Sequence, residues 1–243
     1  MKSNLSSPGP GLRLMQVALL ALGGLLPHSG HAQDGSRPVS CRLLCMEGAP
    51  PPAAMLCQGV KGVEVACEAP ANTPSPAIVC YAVRNQLKFS SRADHQPVAT
   101  ATIPATAKSV ILLFIPSTQA PPALPWRVYV IDDTPKNFPD GGAFVANFYS
   151  QNIRFIIGEH KIILKPASSH GLAMPKQRDD FNMAAVAFEF QQEKRWRSVS
   201  ESLLRFLPDM RYLVIAYVDP ASGRPRLFVS TDVKAAPAAP APD

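Results

Sequence analysis

From residue 78 to residue 233 the chain alternates short runs of apolar and β-branched residues with turn-forming residues. In the stretch Ala184 to Gln191, Val186, Phe188 and Phe190 alternate with Ala187, Glu189 and Gln191. This is the period of two expected of a strand with one buried face. Further strands are predicted over 78–83, 98–103, 109–115, 127–131, 143–149, 153–157, 160–164, 211–218 and 226–231. The turn chemistry between them agrees. Pro139-Asp140-Gly141-Gly142 and Asp219-Pro220-Ala221-Ser222-Gly223 combine a fixed torsion, a side-chain acceptor and glycine, and Gly158-Glu159 reads as a two-residue hairpin loop. A helical period is found only in Ser198 to Leu207 (SVSESLLRFL). Many short strands with almost no helical periodicity predict an all-β chain, an antiparallel β-sandwich of immunoglobulin-like or jelly-roll-like type, with a small barrel as the alternative. No long repeat is visible in the sequence, which argues against a propeller or solenoid.

The flanks differ from this middle. Residues 33–77 carry the Pro-rich pieces GAPPPAA (48–54) and APANTPSPA (69–77) and read as an irregular Cys/Pro-rich segment or linker, because proline lacks a backbone donor and fixes its own torsion. The end of the chain, AAPAAPAPD from Ala235, reads as a disordered tail over 234–243. Met15 to Leu26 is an apolar run preceded by Lys2 and Arg13, with no acid before Asp34. It is shorter than the ~20 residues a spanning helix needs and matches a signal-peptide core, with Gly30 and Ala32 placed for cleavage before Gln33. The expectation is a signal peptide over 1–32, a sandwich domain over 78–233, and an exported product, periplasmic or extracellular, with no transmembrane segment. The formal charge of +6 falls to +4 without residues 1–32, since Lys2 and Arg13 go with them, and that surplus is spread thinly. The densest basic cluster, Lys194, Arg195 and Arg197 around Trp196, is too small for a nucleic-acid footprint.

Phe138, Pro139, Gly141, Gly142 and Asn147, followed by Gly158, the run Ile162 to Leu164 and Pro166, form a pattern similar to that of exported bacterial proteins of unknown function. Trp196, Arg211 and Asp219-Pro220 extend the resemblance, which covers about Lys108 to Thr231. It implies a small exported β-sandwich and carries no catalytic residues.

Five cysteines, Cys41, Cys45, Cys57, Cys67 and Cys80, fall within one short stretch. In an oxidising compartment they are disulfide candidates, and their spacing leaves the pairing open. Only Cys41 and Cys45 have zinc-ligand spacing, so no metal site is expected. Catalytic signatures are missing too: there is no Gly-x-Ser-x-Gly, and no serine three residues before a lysine. His95, His160 and His170 sit among turn or polar residues. Neither doublet, Asp132-Asp133 or Asp179-Asp180, can form a carboxylate pair alone, since neighbours on a strand point to opposite faces, and Asp132-Asp133 before Thr134-Pro135 reads as turn-holding. No cofactor is implied. The expected function is that of a non-catalytic accessory or interaction module with an unknown protein or envelope partner. The alternative is a carbohydrate- or other ligand-binding module using exposed rings, with Trp126, Tyr149 and Trp196 as candidates.

Overall fold

A computed structural model describes residues 35–46, 52–120, 122–193, 195–219 and 222–233. The signal-like segment 1–32, most of GAPPPAA and the tail 234–243 lie outside the described residues. Among the described residues every regular element is a strand, apart from one 3-10 turn at Val60–Gly62. The first eight are β1 (Ser36–Cys45), β2 (Met55–Gln58), β3 (Glu64–Cys67), β4 (Ile78–Val83), β5 (Gln86–Ser91), β6 (Pro97–Thr102), β7 (Ser109–Pro116) and β8 (Trp126–Asp132). The second eight are β9 (Ala143–Asn147), β10 (Ile153–Ile157), β11 (His160–Leu164), β12 (Ser169–Leu172), β13 (Met183–Gln192), β14 (Arg195–Arg205), β15 (Met210–Val218) and β16 (Pro225–Val233).

The two sets of eight share one pairing scheme. In the first, β1 pairs antiparallel with β4 and parallel with β7, β7 pairs with β8, β2 pairs with β3 and β5, and β5 pairs with β6. In the second, β9 pairs antiparallel with β12 and parallel with β15, β15 pairs with β16, β10 pairs with β11 and β13, and β13 pairs with β14. Register is kept as well: Cys41 faces Val110 and Cys45 faces Phe114, as Ala143 faces Tyr212 and Asn147 faces Ala216. The chain is thus two β-sandwiches of one topology in tandem. The sheets are mixed, because each sandwich holds one parallel pair.

Within the first sandwich the two faces are joined by the β4–β5 hairpin, where Val83 pairs with Gln86 and Arg84 and Asn85 take φ of 50° and 62°. That is the left-handed pair a tight two-residue hairpin requires. Arg37 fastens this corner, donating from Nε to Asn85 Oδ1 at 3.0 Å and from Nη1 to the Ala107 carbonyl at 2.6 Å.

Side-chain parity sorts the strands into four layers with three cores. Val39, Cys41, Leu43, Leu112, Phe114, Leu87 and Phe89 fill the first sandwich, and Val145, Phe155, Phe188, Tyr212 and Val214 fill the second. The opposite faces of the central strands meet in a third core, where Leu44, Ile111, Leu113 and Ile131 pack with Phe144, Ala146, Leu213 and Ile215. Strands β7, β9 and β15 are therefore buried on both faces. This accounts for their continuous apolar runs where β13 alternates.

Two expectations need correction. Residues 33–77 are not an irregular linker: they supply β1, β2 and β3, and the Pro-rich piece 69–77 lies against β1. There the Cys45 amide donates to the Pro70 carbonyl at 2.7 Å and the Ser75 amide to the Leu43 carbonyl at 2.8 Å. Proline keeps its carbonyl acceptor, so a Pro-rich segment can still satisfy a neighbouring strand. Ser198 to Leu207 is not a helix but most of β14, which pairs along the whole of β13. Serine and β-branched Val199 favour helix weakly, and the pairing decides.

Candidate interaction surface

The outer layer, in the order β11-β10-β13-β14, ends on β14. Its 11 residues follow the burial pattern eieeeeeeeie, so the strand is exposed on both faces for nearly its whole length. β14 pairs with β13 alone among the described residues. Arg195, Arg197 and Arg205 lie on it against the single acid Glu201, which accepts from Ser198 Oγ at 3.0 Å. Leu203 is 59% exposed.

A β-bulge sets what this layer shows to solvent. Phe188 pairs with Ser200 and Glu189 with Ser198, so Val199 is the extra residue. Beyond it the parity of β14 reverses, and Trp196 joins Glu189 and Arg154 on the outer face rather than pointing inward. There the Arg154 guanidinium carbon lies 4.6 Å from the Trp196 ring centroid while Arg154 Nε donates to Glu189 Oε2. The hydrogen bond from Arg154 holds the Glu189 carboxyl below its usual range and the same bond raises Arg154.

The three candidate aromatics are not brought together. Trp126 packs against the first core, and Tyr149 packs against the second, edge-on to Phe190 with centroids 6.1 Å apart. Only Trp196 stands on the outer layer, with one ring face covered by Arg154. The histidines are separate as well: His95 sits in a turn at φ 54°, and His170 is exposed on β12. His160 Nε2 lies 3.6 Å from Glu159 Oε1, but both oxygens of Glu159 already accept from the backbone, the Lys176 amide at 2.8 and 3.0 Å and the Gln177 amide at 3.0 Å. Those amide bonds lower the Glu159 carboxyl to about 2, and its work is to pin the 176–177 loop.

Asp132 accepts from Asn137 Nδ2 at 2.9 Å, and Asp133 lies 2.8 Å from Arg211 Nη1. Arg211 belongs to a buried cluster at the junction of the sandwiches. It pairs with Asp232, which also accepts from Arg42 Nη1 of the first sandwich at 2.9 Å, and its guanidinium carbon lies 4.0 Å from the Phe138 ring centroid. Burial opposes ionisation of Asp232, but the hydrogen bonds and charges of Arg42 and Arg211 outweigh it and hold the carboxyl below its usual range. Asp133 and Asp232 occupy equivalent places in the two sandwiches, one residue past the Val110–Asp132 and Tyr212–Thr231 pairs, and both meet one arginine. Sequence reasoning gave Arg42 and Asp232 no role; the one available signal was a lone acid at the end of an apolar-alternating strand.

All five cysteines are buried free thiols of the first core. Cys57 Sγ and Cys80 Sγ are 2.7 Å apart. Burial pushes Cys45 up to about 11. Beside these residues opens an apolar cleft of about 460 Å³ lined by Pro52, Ala54, Cys67, Pro70, Ile78 and Arg92. Glu68 and Ser75 line it too. Among the described residues no group of three or more His, Cys, Asp or Glu could hold a metal ion, and no helix is long and apolar enough to cross a membrane.

Fold and surface together define a class, a tandem pair of β-sandwiches whose longest described edge strand is β14. No protein-family model matches the chain, and no curated protein matches it in sequence.

Proposed function

We propose that the chain is a non-catalytic interaction module of an exported, envelope-associated protein, and that it takes its partner as an extended, acidic polypeptide laid along β14. The observation that carries this reading is β14 itself, an 11-residue edge strand exposed on both faces. Such an edge presents a row of backbone donors and acceptors that a second chain can complete. Three arginines against one glutamate select acidic side chains on the incoming strand. The other edges are shorter, from four residues in β3 and β12 through five in β11, six in β6 and seven in β8 to nine in β16, and β16 buries Phe228, Ser230 and Asp232. Export is supported by the Met15 to Leu26 run with its basic flank. A carbohydrate platform finds less support, because Trp126 and Tyr149 pack into separate cores and Arg154 covers one face of Trp196.

The test is fluorescence anisotropy with two labelled ten-residue peptides of alternating valine, one with glutamate and one with lysine at the intervening positions. Saturable binding of the acidic peptide, weakened roughly tenfold or more by Arg195→Glu with Arg197→Glu, is expected. Equal binding of both peptides, or no effect of the double substitution, would count against the proposal.

A further inference from the structure

The five thiols are not equivalent. Cys67 and Cys57 lie on adjacent strands of one sheet, where Cys57 faces Val65 and Met55 faces Cys67, so the two are diagonal neighbours. Cys41 and Cys80 are diagonal in the facing sheet, where Val39 faces Cys80 and Cys41 faces Ile78. Diagonal positions stand about 7–8 Å apart, beyond the ~4.4–6.8 Å that a disulfide usually spans between Cα atoms. Cys41 and Cys45 lie on one strand, four residues apart and roughly 13 Å from each other. Cys57 and Cys80 are different: they face each other across the first core, β2 against β4, with sulfurs 2.7 Å apart and both side chains buried.

We infer that Cys57 and Cys80 form a disulfide that ties the two sheets of the first sandwich together, in preference to the diagonal pairs within either sheet. The step is a two-electron oxidation by a small-molecule disulfide acting as exchange partner. One cysteine thiolate attacks a sulfur of that disulfide and releases one thiolate, leaving a mixed disulfide on the protein. The second cysteine thiolate attacks the protein sulfur, forming the Cys57–Cys80 bond and releasing the second thiolate. The two protons lost by the cysteines end on the two released thiols. Cys57 is the sulfur on which charge is best held, because it accepts hydrogen bonds from Cys67 and Cys80. Since both side chains are buried, exchange proceeds while the β2–β3 hairpin is undocked, during folding rather than on the finished sandwich.

The experiment refolds the reduced full chain in a mixture of oxidised and reduced glutathione, quenches with an alkylating reagent and maps the products by mass spectrometry without reduction. The expected result is loss of two thiols, a linked peptide pair containing Cys57 and Cys80, and a melting temperature roughly 5–10 °C above that of the reduced protein. Cys45→Ala should form the same bond with the same rise in melting temperature, and Cys57→Ser should lose that rise. Five free thiols after refolding, or a bond joining any other pair in the parent, would overturn the inference.

Discussion

Asp232 ties the junction together by answering two arginines from different sandwiches at once. Replacing it by asparagine leaves Arg211 and Arg42 short of a countercharge in a buried place, and a loss of about 3–5 kcal/mol is expected, read from the urea midpoint. Its pH dependence has a definite sign. The native carboxyl lies below its unfolded value of 3.8, so its contribution is complete above about pH 4 and is lost as the pH falls further through the native value. Asp232→Asn should therefore flatten the stability curve of the parent below pH 4 while lowering it at pH 7; parallel curves would contradict the assignment. Glu159 behaves alike on a smaller stage. Glu159→Ala should speed amide exchange at Lys176 and Gln177 and leave β10 and β13 unchanged.

Among the elements, the central strands fit so closely that some positions exclude a Cβ. A Cβ on Gly142, where the chain enters β9, would stand 2.1 Å from the Leu172 carbonyl oxygen of β12, whereas one on Gly35 meets nothing within 4 Å. Gly142→Ala is expected to cost about 1–3 kcal/mol by parting β9 from β12, and Gly35→Ala close to nothing, both by denaturant titration. Most strands were legible in the sequence because burial writes itself as alternation in β13 and as continuous apolar runs in β7 and β15. The Gly158 hairpin was legible for the same local reason, glycine taking φ of 55°. β14 was hidden because it lacks the buried face that produces either pattern: its serines and arginines meet solvent on both sides. β1 was masked by its neighbours, since the prolines around it suggested a break that a carbonyl-accepting segment does not impose. The outward turn of Trp196 depends on a bulge, which shows only once β13 and β14 are laid side by side.

For the whole molecule, the duplication is a matter of topology rather than of residues. Where the second sandwich has Arg211, the first has Ser109, and Cys45 matches Asn147. Two halves can keep one set of pairings with few shared side chains, because strand pairing needs only a compatible burial pattern, and this is why no repeat was visible in the chain. The third core joins the halves, with Tyr129 of β8 set edge-on to the Phe148 ring, 4.8 Å between centroids, across it. Trp126 and Trp196 report on opposite sandwiches. Single-tryptophan variants Trp196→Phe and Trp126→Phe, each compared with its own circular dichroism transition, should give coincident midpoints. A Trp126 transition separated from the main unfolding would show that the junction does not couple the halves.

The central claim is that β14 is the working edge of this body. The measurement that reaches it most directly is hydrogen–deuterium exchange of the full chain with and without the alternating valine–glutamate peptide. Before addition, the amides of β14 should be among the fastest-exchanging of any strand, and those of β9 and β15, buried on both faces, the slowest. On addition, protection should appear along Arg195 to Arg205 and not at the cleft around Cys67 and Arg92. Protection confined to the cleft, or binding with β14 exchange unchanged, would contradict the account.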